Sequence, residues 1–400
     1  MANIHEQLYD TDRKLQRELD KIKQDPISEN KKKAIFKFVD NCFAEGLSKS
    51  RVLRYLFDLR RIAVWLPKDF EEATTEDIKA LVNKIENSKK QNDKSGYASA
   101  TKYGFRVTIK KFYKWLKNTE GIYPPEVRWM KNTHKIDRIK LPEDMLTEND
   151  VKRLIDITTE TRNKAFVSML YESGCRIGEL MGIKLKNIKF DQYGAQLFVD
   201  GKTGFRRVRT IISVPYLQEW INKHPRKDDP EAFLWVSKDG TSVGYARMKR
   251  ILEVLGKRAG IKKKVNPHNF RHSRATYLAN HLTEAQMKEH FGWTQSSRMA
   301  SVYVHLSGRD VDNALLKVYG MKNNEEKEES ELKPKTCQRC EQINPATNKF
   351  CSRCGAILDL KLEELINKEK EFLKLITPDI IEKLIEKKVQ EMLKKENQKE

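Results

Sequence analysis

Between Ser28 and Leu116 the apolar residues Ile35, Phe36, Val39 and Phe43, then Leu53, Leu56, Ile62 and Trp65, recur mainly at three- and four-residue steps. That period predicts helices with one buried face. A polar helix from His5 to Lys23 precedes them and stops at Asp25-Pro26, because proline disfavours helical geometry in the residue before it. The polar run Thr74, Thr75, Glu76 and Asp77 ahead of Ile78-Lys-Ala-Leu-Val reads as a capped helix start. Residues 87–99, NSKKQNDKSGYAS, read as a loop. From Tyr103 to Leu116 a further helix interleaves Lys110, Lys111, Lys114 and then Lys117 with Phe112, Tyr113 and Trp115. Residues 28–118 are thus expected to form a small all-α domain, with a linker over 119–140 that opens at Pro124-Pro125.

A second pattern begins at Leu146-Thr-Glu-Asn-Asp, where Thr147 can cap a helix starting at Glu148. Helical periodicity runs to about Leu185, and then residues 195–214 alternate, with Gly201 and Gly204 bracketing a turn, as a β-hairpin does. After Pro215 the chain returns to helices through Trp220, Ile251–Leu255 and Arg274–Asn280, to about Tyr319. Helices, a short antiparallel sheet and helices again make this part, 141–320, an α+β domain. Residues 321–335 are a hydrophilic linker, 336–357 hold a cysteine cluster, and 358–400 carry a helical apolar stripe of Leu362, Leu365, Ile366, Leu373, Ile376, Ile381, Ile385 and Met392. Such amphipathic helices can pair in an oligomer or pack on their own protein.

The length of 400 residues fits two or three domains. No stretch approaches the roughly 18 apolar residues that a membrane span requires, and MANIHEQLYDTDRKL lacks the apolar centre of a secretory signal. The expectation is a cytoplasmic protein without a membrane partner. The formal net charge is +21, and it is uneven. Residues 1–140 hold 31 basic and 20 acidic side chains, residues 141–320 hold 30 and 20, and residues 321–400 hold 17 of each. The positive field therefore belongs to the first 320 residues, as expected if they bind a polyanion such as nucleic acid.

Four of the six cysteines form the pattern Cys337-x2-Cys340-x10-Cys351-x2-Cys354, while Cys42 and Cys175 stand alone. Two CxxC knuckles supply the four thiolates that close a tetrahedral structural zinc site. Gly355 directly follows the last of them, where positive φ suits the knuckle turn. The reading is a minimal zinc ribbon, contacting DNA through Arg339, Lys349 and Arg353 or contacting protein; the neutral charge of the tail favours protein.

Four further segments carry chemistry: Gly174-Cys-Arg-Ile-Gly-Glu-Leu180, His268-Asn-Phe-Arg271-His-Ser, Phe291-Gly-Trp-Thr and Val302-Tyr-Val-His305. In this order and spacing they resemble the tyrosine recombinase (phage integrase) family over about 140–320, and the run from Ser301 to Asp312 resembles its archaeal branch. The resemblance makes 28–118 a core-binding domain and 141–320 the catalytic domain. It implies Tyr303 as the nucleophile that becomes joined to a 3′ phosphate, with Arg176 and Arg271 holding the non-bridging oxygens. Two guanidinium forks suit the charge that develops on those oxygens. It implies Lys202, on the hairpin turn, as the general acid for the 5′-hydroxyl, and His268 as a proton-transfer residue beside the tyrosine. Trp293 takes a position where most members have His; its indole N–H donates a hydrogen bond and transfers no proton. Glu179, one turn after Arg176, is spaced to hold it.

Beside these readings stand plainer ones. Arg206 or Arg207 on the following strand can reach the same phosphate as Lys202, and His272 and His305 read as structural neighbours of the motif residues. In the all-α domain Lys102, Arg106, Lys110, Lys111 and Lys114 are expected to contact phosphates, which positions a protein without specifying sequence. The expected function is site-specific DNA recombination on double-stranded DNA by a self-assembled tetramer, with zinc structural and no cofactor for the strand transfer. A type IB topoisomerase and a non-catalytic DNA-binding regulator on the same fold are the alternatives.

Overall fold

Caps and apolar faces build the N-terminal unit, residues 1–141, one of two units into which the chain divides. The computed structural model describes residues 10–90, 93–119, 121–131, 142–201, 204–306, 319 and 330–359. Helices α1 (Thr11–Gln24), α2 (Glu29–Ala44), α3 (Lys49–Trp65), α4 (Thr75–Asn87) and α5 (Ser99–Leu116) follow one another. Ser28 caps α2 through the Lys31 amide, and Thr74 and Asp77 form a reciprocal capping box at α4. Their inner faces bring Phe38, Leu59, Ile62, Ile78, Phe105, Ile109 and Phe112 into one core. Buried Lys31 ties α2 to the end of α3 by donating to the Ala63 carbonyl at 3.1 Å and to that of Leu66. Lysine there satisfies the carbonyls that a helix end leaves unpaired.

Two expectations change here. The loop over 87–99 contains an antiparallel pair of short strands, β1 (Lys89–Lys90) and β2 (Asp93–Gly96). The stretch expected as linker from 119 starts as part of the domain. A short helix α6 (Pro125–Arg128) buries Val127, and Met130 follows it into the same core. Pro124-Pro125 thus starts a helical turn, since proline is tolerated in the first turn.

The second unit, 142–400, opens with α7 (Glu148–Asp156), capped by Thr147, then α8 (Thr161–Ser173) and the short α9 (Ile177–Met181). The sheet has three strands in the order β3 (Ile188–Asp191), β4 (Gly194–Gly201), β5 (Gly204–Thr210), all antiparallel. The hairpin of β4 and β5 matches the alternation, which buries Ala195, Leu197, Val199 and Val208; β3 adds a strand the alternation did not announce. Buried Glu172, near the end of α8, fastens the exit from the sheet. It accepts from the amides of Ile211, Ile212 and Ser213 and from the Ser213 hydroxyl. Helices α10 (Val214–Asn222), α11 (Tyr245–Arg258), α12 (Pro267–Ala279), α13 (Glu284–Phe291) and α14 (Met299–Leu306) follow.

The cysteine cluster folds around two short antiparallel strands, β6 (Lys335–Thr336) and β7 (Ile343–Asn344), and packs on this same unit. Tyr216 on α10 and Thr347 share a hydrogen bond of 2.9 Å between hydroxyls. The end of the expected 321–335 linker is also docked: Ser330 Oγ and the Glu331 amide donate to Glu148 at the start of α7, and Leu332 is buried. The helices expected over 358–400 lie outside the described residues from 360 onward. Among the described residues, no helix is long and apolar enough to cross a membrane.

Candidate active site and metal centre

Helix α8 ends at Gly174, whose φ of 56° turns the chain into Cys175-Arg176 and the start of α9. An added Cβ at Gly174 would lie 2.5 Å from Phe291 Cε1, so a side chain is excluded by space as well as by backbone. Arg176 stands before the first turn of α9 and its amide donates to Glu179 at 2.8 Å, as its Nη1 also does. Across from it, Arg206 points inward from β5, only 9% exposed, and donates from Nη2 to the same carboxylate at 2.7 Å. Arg271, buried on α12, donates to the Gly174 carbonyl at 2.8 Å.

All three arginines meet at the carboxyl end of α13. Arg206 Nε donates to the carbonyl of His290 at 3.0 Å, Arg271 Nη2 to that of Phe291 at 2.6 Å, and Arg176 Nη2 to that of Gly292 at 3.2 Å. These carbonyls have no partner within the helix, and the helix dipole places partial negative charge there. Three guanidinium groups, which would otherwise repel, are therefore fixed by consecutive backbone acceptors. The short helix is the frame of the arginine cluster.

Electrostatics follow from that crowding. Burial, reinforced by the charge of Arg176, pulls Arg271 down to about 10, so it stays cationic at neutral pH and gains from an incoming anion. Burial would raise Glu179, but the hydrogen bond and charge of Arg206, joined by Arg176, hold it below the ordinary carboxylate range. Burial, then the charges of Arg274 and Arg206, pushes His290 down to about 4, which leaves it neutral.

After α13 the chain runs through Trp293 and a turn at Thr294–Ser297 into α14, which returns Tyr303 beneath the indole. The rings of Trp293 and Tyr303 lie parallel, 5.5 Å apart with 2° between planes, and Phe291 stacks on Trp293 at 4.9 Å. The Arg271 guanidinium sits 5.6 Å from the Trp293 ring. Tyr303 is 3% exposed, and burial pushes its phenol up to about 12 against the opposing pull of Arg271. Its hydroxyl is hydrogen-bonded to Nδ1 of His272.

The structure therefore gathers Arg176, Glu179, Arg271, Trp293 and Tyr303 into one site, with Arg206 added. His272 touches the tyrosine hydroxyl, as a structural neighbour of the motif residues can, and His268 lies exposed one turn earlier on α12. A signal for it existed. Ala275 and Ala279 form the face of α12 that packs with Ala300 and Tyr303 of α14, and His272 continues that face one turn back. Arg207, next to inward-facing Arg206, points to solvent. Lys202 and the side chain of His305 lie outside the described residues.

The basic helix of the first unit departs from the expected placement at one lysine. Lys110 is turned inward: it donates to the Met130 carbonyl at 2.8 Å and sits 4.0 Å from the Tyr123 ring centre. Lys102 and Arg106 share Glu86, Lys111 pairs with Glu45, and Lys114 lies 6.0 Å from the Tyr123 ring centre.

In the ribbon the sulfurs of Cys337, Cys340, Cys351 and Cys354 all lie within 4.8 Å of one another, with Cys337–Cys354 at 3.5 Å and Cys340–Cys351 at 3.6 Å. Thiolates about 2.3 Å from one zinc ion stand roughly 3.8 Å apart, so the donor set fits a tetrahedral ion. The Arg353 amide and Asn344 Nδ2 point at the Cys351 sulfur, at 3.4 and 3.6 Å, where their N–H groups would stabilise the negative charge of a thiolate. Gly355 has the positive φ, 72°, expected of the knuckle.

Residues 144–309 match the model of the phage integrase family. The chain is 28% identical to the tyrosine recombinase XerD of Oceanobacillus iheyensis over 265 residues, 64% of this chain and 84% of that protein. It is 30% identical to the tyrosine recombinase XerA of Pyrococcus furiosus over 185 residues, 44% of this chain and 63% of that protein. A solved lambda integrase tetramer bound to a Holliday junction shares the fold, with a TM-score of 0.55 at 15% identity, over 70% of this chain and 78% of that one.

Proposed function

We propose that the chain, whose residues 144–309 match the phage integrase family and whose relatives are tyrosine recombinases, recombines DNA at specific sites by using Tyr303 as its nucleophile. The observation that carries this reading is the convergence of Arg176 and Arg271 on the end of α13, with Tyr303 stacked beneath Trp293 beside them. The Tyr303 oxygen attacks the scissile phosphorus as its proton passes to His268, the bond to the 5′ oxygen breaks, and that oxygen leaves as a hydroxyl with a proton from Lys202. The remaining N–H groups of Arg176 and Arg271 take the charge on the non-bridging oxygens, in a geometry set before the DNA arrives. Bond energy is kept in the phosphotyrosine, so a partner strand's 5′-hydroxyl can reverse the attack. Trp293 orients the tyrosine ring and offers an N–H to the phosphate.

Double-stranded DNA is the substrate, and a self-assembled tetramer on two sites is the working form; the lambda integrase tetramer on a junction supports that reading by its fold. The four cysteines hold a structural zinc that fixes the ribbon against α7 and α10. Neither a topoisomerase nor a non-catalytic binder is favoured, since the relatives are recombinases. The test uses the full chain and DNA from the flanks of its own gene, nicked near the site so that religation fails. Wild type should give a protein–DNA adduct that survives SDS, and Tyr303→Phe should bind the DNA equally and give none. Adduct formation by the variant overturns the assignment.

A further inference from the structure

We propose that Arg206 is a positioning residue for the strand transfer, the side chain that seats the hairpin turn carrying Lys202 against the arginine cluster. The inference rests on the reading of Lys202 as proton donor to the 5′ oxygen and names what sets that lysine in place. Its ground is the packing of two glycines. Gly201 pairs with Gly204 at the end of the β4–β5 hairpin and directly precedes Lys202. A Cβ added to Gly201 would lie 2.5 Å from Glu179 Oε1 and 3.1 Å from Arg206 Nη1, so the hairpin end rests on the Glu179–Arg206 pair itself. Gly292, directly before Trp293, lies against the same guanidinium: a Cβ there would stand 2.8 Å from Nη1 and 3.0 Å from Cζ. Neither side chain can yield freely, since both are buried and bound to each other at 2.7 Å.

The bonds of Arg206 suit it to hold the turn rather than the DNA. Nη2 is spent on Glu179 and Nε on the His290 carbonyl, while Nη1 lies buried beside the two glycines with no hydrogen-bond partner among the described residues. Its side chain is 9% exposed against 35% for Arg176, so it is enclosed where Arg176 stays open to a phosphate. Arg176 in turn has bonds of its own: its amide and Nη1 donate to Glu179, and its Nη2 donates to the Gly292 carbonyl. Loss of the Arg206 fork therefore loosens the turn more than the clamp on the non-bridging oxygens. A proton donor works only within hydrogen-bond reach of the leaving oxygen, and a displacement of about 1 Å is enough to remove that reach. Arg206 itself exchanges no proton; the 5′ oxygen still takes its proton from Lys202.

The leaving group tests this. Single-turnover adduct formation by the full chain is measured on nicked DNA with either oxygen or sulfur at the 5′ bridging position of the scissile phosphate. A thiolate leaves without protonation, so sulfur restores the rate where the acid is misplaced and not where the clamp or the nucleophile is disturbed. Arg206→Lys keeps a charge beside Glu179 but lacks the fork that also reaches the His290 carbonyl. It should form adduct about 30-fold or more slowly on oxygen and within about threefold of wild type on sulfur. An equal loss on both substrates, as general loosening of the site gives, overturns the proposal, and so does an undiminished rate on oxygen. Gly201→Ala leaves Arg206 in place, so that poor folding of the first variant decides nothing. It should show the same loss on oxygen and the same recovery on sulfur, and a loss shared by both substrates overturns the seat. Failure of the underlying readings looks different: wild type then forms no adduct on either substrate, or Lys202→Ala is slow on both, which removes the proposal with its acid.

Discussion

Glu179 is gripped by Arg206 as well as by Arg176: Arg206 Nη2 lies 2.7 Å from one carboxylate oxygen and Arg176 Nη1 lies 2.8 Å from the other. One arginine comes from the sheet and the other from the turn before α9, so this carboxylate joins two elements that the motif alone does not connect. Arg206→Ala should lower unfolding stability by about 3 kcal/mol, because it leaves Glu179 buried with half its partners. Urea unfolding of the full chain measures it, and a change below about 0.5 kcal/mol would contradict the role given to this pair.

His290 makes the stability of the second unit sensitive to acid. Its folded value is about 4 against an ordinary value of 6.5, so between these the unfolded chain binds a proton that the folded chain refuses. Stability from this residue is fully present above about pH 6.5 and is lost as pH falls towards 4. Thermal midpoints between pH 7.5 and 5 should fall for wild type and fall less for His290→Gln. Parallel curves would show that the histidine is already charged when folded.

The ribbon should act as a brace for the unit on which it sits. Cys351→Ser is expected to abolish metal binding, measured as zinc per chain, and to expose the 330–359 segment to protease, since Tyr216–Thr347 and Glu148–Ser330 depend on its fold. Unchanged zinc content would refute the ligand set, and unchanged protease resistance would refute the brace.

Lys110 and Lys102 should part company in DNA binding. Lys110 supports the Met130 carbonyl inside the domain, so Lys110→Met should destabilise it and leave the salt dependence of DNA affinity alone. A lysine that meets a phosphate contributes about 0.9 to the slope of log affinity against log salt, and Lys102→Met should remove about that much. A lowered slope for Lys110→Met would return that lysine to the DNA surface.

How legible all this is from the residues depends on the kind of constraint. Apolar period and turn chemistry announce the helices and the β4–β5 hairpin, because each is a local pattern. Val127 and Met130 escape notice, since two apolar residues after Pro124-Pro125 have no period of their own and find the core only through the tertiary fold. The site divides in the same way. Arg176, Arg271, Trp293 and Tyr303 stand in motifs, and the four cysteines have a spacing that metal chemistry dictates. Arg206 and Lys110 look like any surface cation until the strand and helix faces are known. His272 lies between: its phase with Ala275 and Ala279 is visible along the chain, but only the packing of α12 on α14 gives that phase a meaning.

The central claim is that one residue, Tyr303, carries the DNA strand. The adduct trapped on nicked DNA, digested with protease and nuclease, can be sequenced by tandem mass spectrometry. A nucleotide-phosphate on Tyr303 is the predicted result. The same mass on another residue, such as Tyr277 or Tyr319, would contradict the account.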